Sequence, residues 1–428
     1  MRHAIRERPR GRRRPPARRS PSAAAPARRR LEASLRHGRR VRRSSTHVVM
    51  ALVTGVALFA TSAAALTYRT LDSNISSYDI ETLLGEDRPT TSAAADPEDP
   101  HAGRPLNLLL VGVDDREGDN ARFGGAGQSG VRSDTVILAH VAADRSRVEM
   151  ISIPRDSWVS IPTCPLPDGT WSQPTEFKFN QAFALGGATG DVGYGVACSI
   201  RTLESLTDIR IDGFVAVDFT GFIRMIDAVG GVEMCIPERI DDPDADLQLE
   251  PGLQVLDGEQ ALGFARARKT LGNGSDTDRI GRQQELLGAT IRTVLDQNLL
   301  TDSASLYRFL DAATSALTTS GDLGSISSLA GIALSLRDVR ADDVTFVTVP
   351  WVNRGDGANV LWTEEADELF AAVAADRPIE DDDATTAEEP AADDGTADAG
   401  GDTPDPGTVP TDPTSPSLGG SHDESESC

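Results

Sequence analysis

From Ser44 to Tyr68 the chain carries no Asp, Glu, Lys or Arg, and the core of that stretch, Val48 to Leu66, is mostly Val, Leu and Ala. A helix needs about 20 apolar residues to cross a hydrocarbon core of about 30 Å. The stretch is therefore predicted to be one transmembrane helix over 44–68. Residues 1–43 before it hold 17 arginines against two acids, Glu7 and Glu32, whereas the whole chain stands at −24. Charge thus changes sign across the apolar run, and the positive-inside rule places the basic tail, 1–43, in the cytoplasm and the rest outside the cell. A cleaved signal peptide, with Ala63, Ala64 and Ala65 as its cleavage site, is the rival reading. The basic segment is far longer than a usual n-region, and the apolar run is long for an h-region, which favours an anchor. Arginine-rich arms can bind nucleic-acid phosphates, but beside a membrane span this charge serves topology and anionic lipid. No nucleic-acid partner is expected.

Composition divides the chain beyond residue 68. Residues 69–103 are polar, rich in Ser, Thr, Pro and acids, and read as an extracellular stalk. Residues 378–428 form an acidic tail; from Glu380 on it has 15 acids and no Lys or Arg, too little apolar surface to offset its ordering entropy. Between them, 104–377 is long enough for one large domain with a substantial core. Apolar runs at Leu106–Val113, Thr135–Val141 and Arg147–Ile153 read as strands, the last two joined by a short polar link that favours an antiparallel hairpin. Further strand-like runs fall at 213–218, 232–236 and 344–349, and helical periodicity at about 179–186, 192–206, 219–229, 257–264, 278–299, 303–318, 325–336 and 363–375. Interleaved strands and helices predict an α/β fold, an α-β-α sandwich with a mixed central sheet.

Charged residues gather where the strands end. Asp114 and Arg116 follow the first strand, Arg132 and Asp134 precede the second, and Arg155 and Asp156 follow the third. If neighbouring strands run antiparallel, three segments meet at one sheet edge, where α/β sheets commonly bind ligands. Later, Arg266 and Arg268 stand at i and i+2, and Arg279, Arg282 and Gln283 lie on one face of a helix near its start. Guanidinium groups take phosphate oxygens in bidentate fashion, and helix N-termini favour anions. Aspartates without His or Cys suit a hard ion such as Mg²⁺. The pattern describes a site for phosphate plus a divalent cation. The chain has 40 Arg against two Lys, so a single arginine means little; only the grouping carries weight. No phosphate-loop glycine motif, no G-x-S-x-G elbow and no histidine spacing for a triad or zinc site is present.

In order along the chain stand VGVDDR at 111–116, RSDT at 132–135, SIPRD at 152–156, KFN at 178–180, VDF at 217–219, IDAVGGV at 226–232, LDGEQAL at 256–262, RAR at 266–268 and DRIGRQ at 278–283. Together these nine pieces resemble the LytR-CpsA-Psr family of bacterial cell-wall enzymes. The resemblance implies a phosphotransferase that moves a glycopolymer from a polyprenyl-pyrophosphate carrier to the muramic acid 6-hydroxyl of peptidoglycan. It also implies that Asp114 and Asp134 hold Mg²⁺ (or Mn²⁺) against the pyrophosphate. Arg116, Arg132, Arg155, Lys178, Arg266, Arg268, Arg279 and Gln283 would grip its oxygens, with Asp114, Asp134 and Arg155 as the catalytic set. Asp114 is favoured over Asp134 as the base for the acceptor proton. The family's lipid tail lies in an apolar tunnel, for which Phe219–Ile226 and Leu286–Leu300 are candidates beside an ordinary core reading. Two other functions stay open: a polyprenyl-pyrophosphate pyrophosphatase using the same site, and a lipid or wall-polymer binding protein without turnover. A transcriptional role lacks any helix-turn-helix pattern. Heavy Arg and Ala usage hints at a high-GC, actinobacterial source, where arabinogalactan or a teichoic-type polymer is the expected cargo.

Four cysteines remain to be placed. In an oxidising compartment a Cys164–Cys198 bridge would pin a loop-rich insertion to a helix. Cys235, in a strand, is predicted buried and free, and Cys428 has no interpretable context. The glycine-rich stretch from Gly118 to Gly130 reads equally as a loop over the site or as a long connection.

Overall fold

The computed structural model describes residues 27–90, 103–115, 120, 122, 131–267, 276–296 and 303–379. It divides into two units between Thr67 and Tyr68. Arg116, Arg268, residues 297–300, most of the glycine-rich connection, the first 26 residues and the acidic tail from Glu380 onward lie outside the described residues.

The first unit contains most of one helix, α1 (Ala27–Asn74). Over Ser45–Asn74 this helix is long and apolar enough to cross a membrane. Val48, Val49 and Met50 are 56%, 59% and 68% exposed, and they point about 100° apart around the axis. By length and composition the helix is a candidate membrane span.

The second unit is built on seven strands: β1 (Ser76–Tyr78), β2 (Leu106–Asp114), β3 (Arg132–Val141), β4 (Val148–Ser152), β5 (Gly213–Asp218), β6 (Leu317–Ser320) and β7 (Val344–Thr348). They form one sheet in the order β1-β6-β5-β2-β3-β4-β7. The short link makes β3–β4 antiparallel, as predicted; β2–β3 is antiparallel as well, across the long connection between Asp114 and Arg132, while β5 runs parallel to β2 and β7 parallel to β4. Side chains alternate across the pleat. Leu109, Val111, Val136 and Leu138 share a core with Ile200 and Leu203 of α3 (Val192–Thr207), Phe183 of α2 (Asn180–Gly186) and Phe370 of the helix Glu364–Ala374. Leu108, Ile137 and Ala139 belong to a separate core with Leu329 and Ile332 of the helix Ile326–Ser335, and with Leu287 and Ile291. Helices on both faces of a mixed sheet give the expected α-β-α sandwich.

Three expectations change. Residues 69–103 are not a spacer throughout. Asn74 donates to Asp311 Oδ1 (3.2 Å), β1 extends the main sheet, and Ile80 and Leu84 enter the core. Ile80, Leu83 and Leu84, at i, i+3 and i+4, signalled that packing inside a polar composition that hid it. The helix predicted over 303–318 ends at Ala316, and Leu317–Ser320 becomes β6. Leu317 continues the helical period, but Thr318 and Thr319 suit a pleated strand better. Trp158–Ile161 and Thr175–Lys178, which the apolar runs did not mark as strands, pair in a ribbon that frames the loop-rich insertion.

The contact between α2 and α3 depends on Gly186. A Cβ placed there would sit 2.0 Å from the Tyr194 carbonyl oxygen and 2.5 Å from its carbon. Backbone cannot yield as a flexible side chain would. Gly186→Ala should therefore destabilise the domain by about 1–3 kcal/mol, read as a lowered thermal midpoint of the full chain in detergent. An unchanged midpoint would show that the two helices separate without cost.

Candidate functional site

The carboxyl ends of β2, β4, β5 and β7 and the amino end of β3 share one edge of the sheet. At that edge the β2–β3 register breaks. Gly112 faces Thr135 and Val113 faces Ser133, which leaves Asp134 as an extra residue on β3. Such a bulge re-aims the side chain it carries. The small residue at 112 suits the spot, since a Cβ there would lie 3.2 Å from the Thr135 Cβ. One step further on, Asp114 stands opposite Arg132; Asp114 is buried and Arg132 exposed.

Beyond β4, Ile153 donates to the Val136 carbonyl and leads the chain to Arg155. Arg155 Nη1 bonds Asp134 Oδ1 at 2.7 Å, with the two side chains 17% and 33% exposed. Its Nε lies 3.8 Å from Asp156 Oδ2, and Asp156 Oδ1 accepts from Lys178 Nζ at 2.7 Å. Lys178 also reaches the Ala358 carbonyl at 3.5 Å, in a turn organised by Asp356. The hydrogen bond from Asn359 Nδ2, followed by that from the Ala358 amide, holds the Asp356 carboxyl below the usual carboxylate range. Acids and cations therefore alternate along the edge, and an arriving polyanion would exchange carboxylate partners for its own oxygens.

The other wall comes from helices beyond β5, α4 being Phe219–Ala228, α5 Gly258–Arg266 and α6 Asp276–Asp296 in chain order. The capping box of Asp257 and Gln260 starts α5, which delivers Arg266 at its last position. The Arg266 guanidinium lies 4.9 Å from the centre of the Phe219 ring, a cation–π distance. From α6, Arg279 is only 3% exposed and donates to the Asp134 carbonyl at 3.2 Å, and Gln283 Nε2 reaches the Ala265 carbonyl at 3.4 Å. A buried guanidinium is tolerated only where such acceptors meet it.

Of the sequence-predicted residues, Asp134, Arg155 and Arg279 are thus in direct contact. Asp114 and Arg132 face each other, Lys178 joins through Asp156, and Gln283 lies along Arg266's helix. Arg116 and Arg268 fall outside the described residues. Two members of the charge clusters, given no role from the sequence, belong to the site. Asp156 links Arg155 to Lys178, and its place beside Arg155 was the available signal. Arg282, 8% exposed, donates to the Ala267 carbonyl between the paired arginines; its i+3 spacing from Arg279 pointed there. Among the described residues no cluster of three or more His, Cys, Asp or Glu would hold a metal by itself. The tunnel candidates join three core groups: Phe219 and Ile223 pack with Leu262, Leu286 and Ala289 with the ribbon of Val232–Ile236 and Gly252–Leu256, and Leu287 and Ile291 with Leu108, Ile137 and Ala139.

The Cys164–Cys198 bridge is present, with a Cα–Cα distance of 5.0 Å, and it joins the insertion to α3. Cys235 corrects its expectation: it is half-buried and disulfide-bonded. Its strand belongs to a two-stranded ribbon, where one face stays open and a thiol is not enclosed.

The sequence profile of the LytR_cpsA_psr family matches residues 67–375. The chain is 34% identical over 277 residues to a probable cell wall biosynthesis protein, LcpB, of Corynebacterium glutamicum, covering 62% of this chain and 60% of that protein. It is 32% identical over 205 residues to the polyisoprenyl-teichoic acid–peptidoglycan teichoic acid transferase TagU of Oceanobacillus iheyensis, covering 48% and 56%. The match thus spans less than two thirds of the length of these curated relatives. Among solved structures, protein gbs0355 of Streptococcus agalactiae superposes with a TM-score of 0.51 at 22% identity, covering 67% of this chain and 91% of that one.

Proposed function

Since this chain belongs to the LytR_cpsA_psr family, we propose that it is a cell-wall glycopolymer transferase anchored by α1, with its basic tail in the cytoplasm and its domain outside the cell. The donor is a polyprenyl-pyrophosphate-linked glycan and the acceptor the muramic acid 6-hydroxyl of peptidoglycan. The observation that carries this reading is the bulged Asp134, met by Arg155 on its carboxylate and by Arg279 on its carbonyl. A diphosphate needs that mixture: cations for its oxygens, and carboxylates for a metal and a proton.

Phosphoryl transfer depends on positioning and on charge neutralisation. In the reaction the acceptor hydroxyl oxygen bonds to the glycan-bearing phosphorus while the bond from that phosphorus to the bridging oxygen breaks. Polyprenyl phosphate leaves, and a phosphodiester remains. A carboxylate oxygen of Asp114 takes the hydroxyl proton. Arg132, Arg155, Arg266 and Arg279, with Lys178, hold the equatorial and bridging oxygens, and Gln283 donates one neutral hydrogen bond. Asp114 and Asp134 would hold a hard divalent cation, Mg²⁺ or Mn²⁺, as oxygen donors without His or Cys suit such an ion. Such ions use one or two carboxylates and complete their shell with phosphate oxygens and water; when bound, the ion supplies positive charge against the pyrophosphate.

The test is reconstitution of the full chain in detergent with Mg²⁺, a polyprenyl-pyrophosphoryl oligosaccharide and peptidoglycan oligomers. Mass spectrometry should find a phosphodiester-linked glycan product together with polyprenyl phosphate. Cleavage without glycan product would replace the transferase by a pyrophosphatase. Binding without cleavage would leave a binding protein.

A further inference from the structure

Within the connection from β2 to β3, Asn120 is 4% exposed, and both polar atoms of its side chain are engaged. Its Nδ2 donates to Asp218 Oδ2 at 2.8 Å. Its Oδ1 accepts from the Thr220 amide at 2.9 Å and from the Thr220 hydroxyl at 2.6 Å. The second oxygen of Asp218 accepts from the Gly221 amide at 2.6 Å and caps α4. One carboxamide therefore ties down the three residues Asp218, Phe219 and Thr220.

Those three residues lie between two arms of the site. Asp218 is the register partner of Val113, so it sits beside the strand end that carries Asp114. Phe219 stacks against the Arg266 guanidinium. Asn120 follows Asp114 by six residues in the chain. It is thus joined to the strand end that carries Asp114 through Asp218, and to Arg266 through Phe219.

We infer that Asn120 is a positioning residue that fixes the spacing between Asp114 and Arg266, and so sets the span of the anion site to that of a diphosphate. The inference rests on the proposed function. The residue type follows from its partners, since the side chain must donate to a carboxylate and accept from an amide and a hydroxyl at once. An aspartate would face the Asp218 carboxylate at hydrogen-bonding distance, like charge against like. A leucine of similar size would leave Asp218 Oδ2 and the Thr220 amide without this partner.

The test exchanges donor and acceptor. Asn120→Asp alone sets two carboxylates together, whereas Asn120→Asp combined with Asp218→Asn restores one donor and one acceptor, and the asparagine oxygen at 218 still caps α4. Farnesyl pyrophosphate with Mg²⁺ serves as the diphosphate probe, titrated calorimetrically into the full chain in detergent. Asn120→Asp should weaken its binding by about tenfold or more and speed amide hydrogen exchange at 218–222, and the double variant should regain both. A merely structural residue would lower the thermal midpoint without this paired recovery of affinity. Unchanged affinity in Asn120→Asp, or a double variant with wild-type midpoint and the single variant's weak binding, overturns the inference. If the wild type binds no farnesyl pyrophosphate, the proposed function fails and the span assignment falls with it. Exchange at 218–222 then separately reports whether the clamp exists.

Discussion

Replacing Asp134 by asparagine should lower glycan transfer by roughly 10²–10³-fold, the loss seen when one preorganised charge-stabilising group is removed from an active site. The substitution keeps the volume and the bulge and takes away one negative charge. Arg155 loses the anionic partner it holds at 2.7 Å, so the diphosphate meets a less neutralised guanidinium and binds no worse without metal. Turnover should fall because the cation loses one of its two proposed carboxylates. The signature is a collapse of kcat with little rise in KM, which marks an interaction realised chiefly in the transition state. Arg279 donates to the backbone carbonyl of Asp134 rather than to its carboxylate, so the helix contact survives and the thermal midpoint should hold. Product quantified by mass spectrometry decides the matter. Transfer within about threefold of wild type would remove Asp134 from the chemistry.

The second large effect concerns stability. Changing Cys164 and Cys198 together to alanine should cost about 3–4 kcal/mol, because the bridge closes a loop across a sequence separation of 34. Both cysteines are fully buried, so a reductant should act slowly, on transiently opened molecules. The loss has a functional side. Cys164 lies between the paired strands Trp158–Ile161 and Thr175–Lys178, and the second of these ends on the lysine that bonds Asp156. Loosening the ribbon should therefore weaken pyrophosphate binding as well as shift the denaturant midpoint. A double variant within about 1 kcal/mol of wild type by urea unfolding would show that packing alone fixes the insertion.

Much of the site was legible because it is written at strand ends. Asp114, Arg132 and Arg155 each border an apolar run, and the short link between β3 and β4 dictates antiparallel neighbours, so Arg155 returns to the edge where β3 begins; the antiparallel course of β2 was a condition, not a consequence, of the sequence pattern. The bulge at Asp134 was not legible. RSDT reads as an ordinary strand start, and the extra residue becomes visible only against the register of β2. Asn120 was hidden in a stretch whose glycines dominate any reading, and its partners Asp218 and Thr220 lie about a hundred residues away. The ribbon strands carry Ser160 and Glu176 outward and too few apolar residues to set a period. Short edge strands such as β1 draw their stability from the neighbour they meet, which is tertiary information.

That first strand also sets a timetable. Ser76 pairs with Thr318, and nearby Asn74 bonds Thr314, which lies 240 residues later in the chain. The segment beside the anchor is among the first of the domain to leave the ribosome, yet its sheet partner is among the last. Until β6 has been made, β5 has an open edge on that side, the kind of edge that pairs with a wrong chain if left waiting. Long-range pairings of this kind are slow to form. The domain is sewn shut by its two ends, and a truncation before residue 317 would leave the seam open.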